Sequence, residues 1–113
     1  MRAEALKGHL DGLLLAVLEA GPTHGYAVID ALRGRSDGTF DLPTGTVYPA
    51  LHRLEDVGLV ASTWSDGSGR RRRVYELTGA GRKALVEQRA AWQQFAGAVQ
   101  SVMNGGQAWT PAT

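Results

Sequence analysis

Arg70, Arg71, Arg72 and Arg73 stand in one unbroken run, and Val74, Tyr75 and Leu77 follow them in a strand-like segment. A guanidinium is permanently charged, planar and forked, which suits two-pronged contact with phosphate. The bland alternative for a run of like charge is a solvated loop. Immediately upstream lies Ser65-Asp66-Gly67-Ser68-Gly69, a cluster of turn formers. The run therefore sits where the tip of a hairpin meets its return strand, with Gly69 and the arginines as candidates for phosphate contact. A strand sends successive side chains to opposite faces, so the four arginines cannot all point the same way. Either Arg70 and Arg72 or Arg71 and Arg73 form the phosphate-facing pair, and spacing alone does not choose.

A second polar set lies upstream. Val47, Leu51, Leu54 and Val57 mark one stripe of a helix that opens near Thr44. The other face offers Thr44, Thr46, Tyr48, Pro49, His52 and Arg53. Threonine and tyrosine hydroxyls suit phosphate oxygens, and His52 and Arg53 suit phosphate or guanine edges. Glu55 and Asp56 fall at the far end, where they would be kept away from a polyanion. Each residue also has a plainer reading. Thr44 reads as the helix N-cap, Tyr48 and Pro49 as packing, and Arg53 as the partner of Glu55, Asp56 or a neighbouring segment. Lys7, just ahead of the first helix, is a further phosphate candidate.

Composition bounds what these residues serve. The chain has 113 residues, enough for one domain with a modest core. Its 12 Lys and Arg nearly balance 11 Asp and Glu, for a net charge of +1. The balance is uneven along the chain: residues 1–41 carry net −2, residues 42–75 net +2 and residues 76–113 net +1. With no cysteine, disulfides and cysteine-based zinc sites are excluded, and His9, His24 and His52 lack metal-ligand spacing. No metal, cofactor or catalytic residue is expected. His9 and His24 read as structural or surface residues. The apolar run Leu10 to Ala20 contains Asp11 and Glu19 and is far too short for a membrane span. The N-terminus makes a poor signal peptide, and a cytoplasmic location is expected.

The elements that must position the two polar sets read as follows. Leu10, Leu13, Leu14, Val17 and Leu18 recur at helical spacing, and Gly21-Pro22 stops that helix. Thr23 is the expected cap of a second helix, with Tyr26, Ile29 and Leu32 on its buried side. The third helix carries the stripe from Val47 to Val57, with Pro49 one turn in and Gly58 as its C-terminal glycine. Strand-like segments 59–64 and 72–77 flank the turn. Thr78 caps a last helix running to about Met103, whose heptad-spaced Leu85, Trp92, Phe95, Val99 and Val102 form an apolar seam.

Three helices, a two-stranded hairpin and a helix with an exposed-looking seam are the order of a mainly α (α+β) winged helix-turn-helix carrying a long C-terminal dimerisation helix. The boundaries read as 1–78 for the DNA-binding domain, 79–104 for the dimerisation helix and 105–113 for a flexible tail. In that arrangement the third helix enters the major groove of double-stranded DNA and the basic hairpin lies along the backbone or minor groove.

The stretches HGYAVIDAL (24–32), GTVYPALHRLEDVGLV (45–60) and RRRVYELTGAGRKAL (71–85) resemble the PadR family of bacterial transcriptional regulators. The likeness covers about residues 7–103, and YPALHRLE followed by a glycine, a Trp-ended strand and RRxYxLT is specific. It implies a homodimer, usually a repressor, on a pseudo-palindromic operator, with the last helix crossing to the partner's first helix. The single short C-terminal helix places the chain with the family's smaller subgroup, some of whose members hold planar aromatic effectors against a tryptophan of that helix. Trp92 stands at the matching position, so Leu10, Leu14, Trp92 and Phe95 are the implied effector residues, although a seam aromatic serves equally well as dimer core. Gly79 and Gly81, and the tail carrying Trp109, depart from the pattern. A winged-helix protein-interaction module is the alternative function. An enzyme finds no support.

Overall fold

The computed structural model describes residues 6 and 8–105; Lys7 and most of the tail with Trp109 lie outside the described residues. In chain order the elements are α1 (Leu10–Leu18), β1 (Thr23–His24), α2 (Gly25–Arg35), α3 (Thr44–Asp56), β2 (Val60–Ser65), β3 (Arg72–Leu77) and α4 (Gly79–Met103). The strands form one antiparallel sheet in the order β1-β3-β2. This is a mainly helical winged-helix fold with a small sheet.

The core is built from the stripes that the spacing marks. Leu14, Leu15, Val17 and Leu18 of α1, Val28, Ile29 and Leu32 of α2, and Val47, Ala50, Leu51 and Leu54 of α3 are buried together. Val60, Tyr75 and Leu77 close the cluster from the sheet, and Leu85 closes it from α4. Side chains of this size each gain about 1.5–3 kcal/mol from full burial, so this cluster is what fixes the angle of α3.

Four local expectations need correction. Thr23 does not cap α2: it pairs in β1 with Tyr75, and His24 takes the cap, its Nδ1 accepting from the Ala27 N–H at 3.3 Å. Thr44 does not cap α3 either. Pro43 is the cap residue, its carbonyl accepting from the N–H groups of Thr46 and Val47, and Thr44 is the first helical residue. Tyr26 and Val57, expected inside, are exposed. Tyr26 falls off the stripe made by Val28, Ile29 and Leu32, and Val57 is already the C-cap, where the helical period has ended.

Thr78 caps α4, its hydroxyl accepting from the Gly81 N–H at 3.0 Å. The apparent misfit of a glycine in that first turn has a steric cause. Any Cβ on Gly81 would run into the carbonyl oxygen of Leu59, which also accepts from the Thr78 N–H at 3.1 Å. Gly81 thus lets α4 start hard against the base of the hairpin.

Candidate nucleic-acid interface

On α3, Gly45, Pro49, His52 and Asp56 are exposed on successive turns, with Thr44 exposed at the start. Thr46 and Tyr48 are half-buried on the flanks of that stripe. Tyr48 lies over the backbone of Gly25 so closely that no Cβ would fit there, and its ring meets Tyr26 edge-on at 6.4 Å. Partial burial and the neighbouring Tyr26 push the Tyr48 hydroxyl above its ordinary value, so it stays a neutral donor. His52 places Nε2 3.3 Å from the Tyr75 hydroxyl. Arg53 turns away from the wing and pairs with Asp11 of α1. Of the partners open to it, Arg53 takes the neighbouring segment and not Glu55 or Asp56 of its own helix.

The hairpin β2–β3 is the wing, and its 3₁₀ tip runs from Gly67 to Gly69. The register sets Trp64 opposite Arg73 and Ser62 opposite Tyr75, so these four side chains share the face toward α3. There Arg73 donates to the Ser62 hydroxyl at 2.8 Å and lies 3.5 Å from Glu55, while Ser62 donates to Glu55 at 2.6 Å. The Ser62 hydrogen bond, and then the Arg73 charge, hold the Glu55 carboxyl below the usual carboxylate range. This closed triad bolts the base of the wing to the last turn of α3.

The triad sorts the four arginines in a way alternation alone does not. Arg73 is committed to Glu55 and Ser62 and is 39% exposed, against 66% for Arg71. The Arg71 guanidinium rests 4.7 Å from the Trp64 ring centre, which restricts its sweep, and lies 3.9 Å from the exposed Asp66. Arg72 points to the opposite face, its Nη1 3.2 Å from His24 Nε2. That contact is weak: a His24 ring accepting at Nδ1 carries its own hydrogen on Nε2, which cannot also accept from Arg72. Arg70 is exposed and forms no ion pair among the described residues. Arg70, Arg71 and Arg72 are therefore the exposed arginines outside the triad, with Arg72 on the face opposite Arg71 and Arg73.

Two further side chains adjoin these sets without being singled out for them by the sequence. Tyr26 stands exposed beside Tyr48, and His24 stands at the root of Arg72. The β-branched Thr23 directly before a strong helix pattern marks a short strand, and that strand moves the cap of α2 one residue on, from Thr23 to His24.

Known proteins match this arrangement. The profile of the transcriptional regulator PadR-like family matches residues 14–87. The chain belongs to that family. A PadR family transcription regulator from Clostridium difficile has a solved structure with a TM-score of 0.77 at 32% identity, covering 85% of this chain and 99% of that one. A second, from Eggerthella lenta, reaches a TM-score of 0.75 at 33% identity over 88% of this chain and 86% of that one. A transcriptional regulator from Mycobacterium tuberculosis is 54% identical over 52 residues, 46% of this chain and 49% of that protein. The chain is thus a PadR-like transcriptional regulator, and DNA binding follows from its family.

The remaining residues singled out from the sequence lie on or beneath α4. In this PadR-like chain Leu85 is buried within its own core, so it offers no surface to a second chain. Leu14 is likewise fully buried, and only half-buried Leu10 remains of the α1 pair. Their stripes point inward, toward the three-helix core. Trp92, Phe95, Val99 and Val102 are exposed; Trp92 and Phe95 stack at 5.9 Å, and His9 meets Trp92 edge-on at 5.2 Å. A shallow cleft of about 240 Å³ lies between α1 and α2, but none of Leu10, Leu14, Trp92 or Phe95 lines it. Among the described residues no His, Asp and Glu cluster fit to hold a metal occurs, and no helix is long and apolar enough to cross a membrane.

Proposed function

We propose that this PadR-like regulator works in the cytoplasm as a sequence-specific homodimeric repressor on a pseudo-palindromic operator. The observation that carries the reading is an exposed α3 stripe together with a wing on which Arg70, Arg71 and Arg72 are exposed and stand outside the Glu55–Ser62–Arg73 triad. Thr44, Thr46, Tyr48, Pro49 and His52 enter the major groove, with Arg53 at its edge. Gly69 lets the backbone of the wing approach the phosphates, and Lys7 adds a contact ahead of α1. Arg73 positions the wing instead of touching DNA.

The exposed seam of Trp92, Phe95, Val99 and Val102 supports the dimer, because an apolar row of this kind is buried in stable proteins. Two such chains would present their α3 helices to half-sites about 34 Å apart, one turn of duplex. A planar aromatic effector between the two Trp92–Phe95 pairs, with Leu10 beside them, would release the operator. No residue acts as a catalyst in this scheme.

Selection of bound duplexes from a random pool, followed by titration across salt concentrations, tests it. The expected result is a two-fold symmetric site with a steep salt slope. Sequence-independent binding without a salt slope would refute it and favour a protein-interaction role.

A further inference from the structure

We infer that Asp11 competes with operator phosphate for Arg53, and that this exchange couples α4 to the recognition helix. The inference rests on the DNA-binding reading above.

Arg53 is the one basic residue of α3, and its guanidinium is 56% exposed although it pairs with Asp11, itself 38% exposed. A pair this open to water is worth only about 0–1 kcal/mol, so a phosphate can take the guanidinium away at little cost. Asp11 cannot follow, because it sits in the first turn of α1, where its negative charge is favoured by the helix N-terminus. The pair is exchangeable on one side and fixed on the other.

That same turn of α1 is welded to α4. Gly12 lies against Gln88 so closely that a Cβ would stand 2.6 Å from its Oε1. His9 abuts Trp92, and at the far end of α1 Glu19 receives two hydrogen bonds from Arg89, at 2.9 and 3.3 Å. These contacts make α1 and α4 one body, and Asp11–Arg53 is the ion pair that joins it to α3. A shift of the Trp92 seam, whether from a ligand or from the partner, moves Asp11 relative to Arg53. Arg53 is then either recaptured or released to the DNA.

The test uses the full chain and a duplex selected from a random pool with the wild-type protein. Asp11→Asn keeps the shape and removes the charge. Its operator affinity should rise roughly two- to fivefold, the span that an exposed ion pair can supply. The salt slope should steepen by up to about 0.9, the value of one further phosphate contact. In an Arg53→Ala background Asp11→Asn should do nothing. An equal gain in that background would show simple charge repulsion and overturn the proposal. So would a weakened Asp11→Asn with unchanged thermal stability, since Asp11 would then be holding Arg53 in its binding position. A wild-type chain that selects no duplex at all would instead remove the DNA-binding reading, and the competition with it.

Discussion

The two halves of this chain meet water very differently. The half formed by α1, α2, α3 and the sheet encloses its apolar side chains, and Leu14, Leu15, Val28, Val47 and Leu51 are fully buried. The outer part of α4 leaves Trp92, Phe95, Val99 and Val102 in solvent, with Trp92 51% and Val102 80% exposed. At 25 residues α4 is about 37 Å long, and only its first turns lie on the core. The first half is complete as a single chain. The second half is an apolar surface held out on a rigid rod.

That contrast predicts opposite outcomes for substitutions of similar size. Leu51→Ala, in the sealed half, should lower the unfolding free energy by about 2–5 kcal/mol, read by chemical denaturation. Gly81→Ala, at the joint between the halves, should cost about 1–3 kcal/mol by forcing α4 off the Leu59 carbonyl. Trp92→Ala should scarcely change folding of the isolated chain. It should raise the dimer dissociation constant about tenfold or more in sedimentation equilibrium. If Trp92 serves only an effector, the dimer will survive and the response to planar aromatics will vanish. A large loss of folding stability in Trp92→Ala would break the comparison, because it would place the tryptophan in the sealed half.

A smaller effect concerns the triad at the wing. The Glu55 carboxyl titrates below 4.5 in the folded chain, chiefly because Ser62 donates to it and then because Arg73 stands beside it. A lowered carboxylate contributes stability that is present above the unfolded value and lost as pH falls through the folded one. Glu55→Gln should therefore cost stability at neutral pH and flatten the acid limb below 4.5, seen in thermal unfolding across pH. An acid limb of unchanged steepness would remove Glu55 from the account.

The same division explains what is legible in the sequence. Elements can be read where burial or a cap enforces their period: the bounds 72–77 of the second wing strand follow from Val74, Tyr75 and Leu77, and the start of the last helix at 79 from the capping Thr78. The caps of α2 and α3 mislead because Thr23 and Thr44 have the chemistry of a cap but not its place. A two-residue strand pairing claims Thr23, and Pro43 precedes Thr44 by one residue. The division of labour among the four arginines is illegible, since it depends on Glu55 and Ser62 arriving from other elements. So is the fate of Leu85, which shares a heptad with exposed Trp92, Phe95, Val99 and Val102 yet faces the core. Side-chain periodicity tells which residues share a face, but tertiary packing decides what that face meets.

In the proposed mode of binding, the wing grips phosphate through Arg70, Arg71 and Arg72, while Arg73 holds the wing in place. The salt dependence of binding to a selected duplex tests this division most directly. Replacing Arg70, Arg71 and Arg72 by alanine should reduce the slope of log affinity against log salt by about 0.9 for each phosphate that is no longer neutralised. Arg73→Ala should weaken binding with the slope nearly intact. A triple variant whose slope matches the wild type, or an Arg73 variant that alone flattens it, would contradict the account.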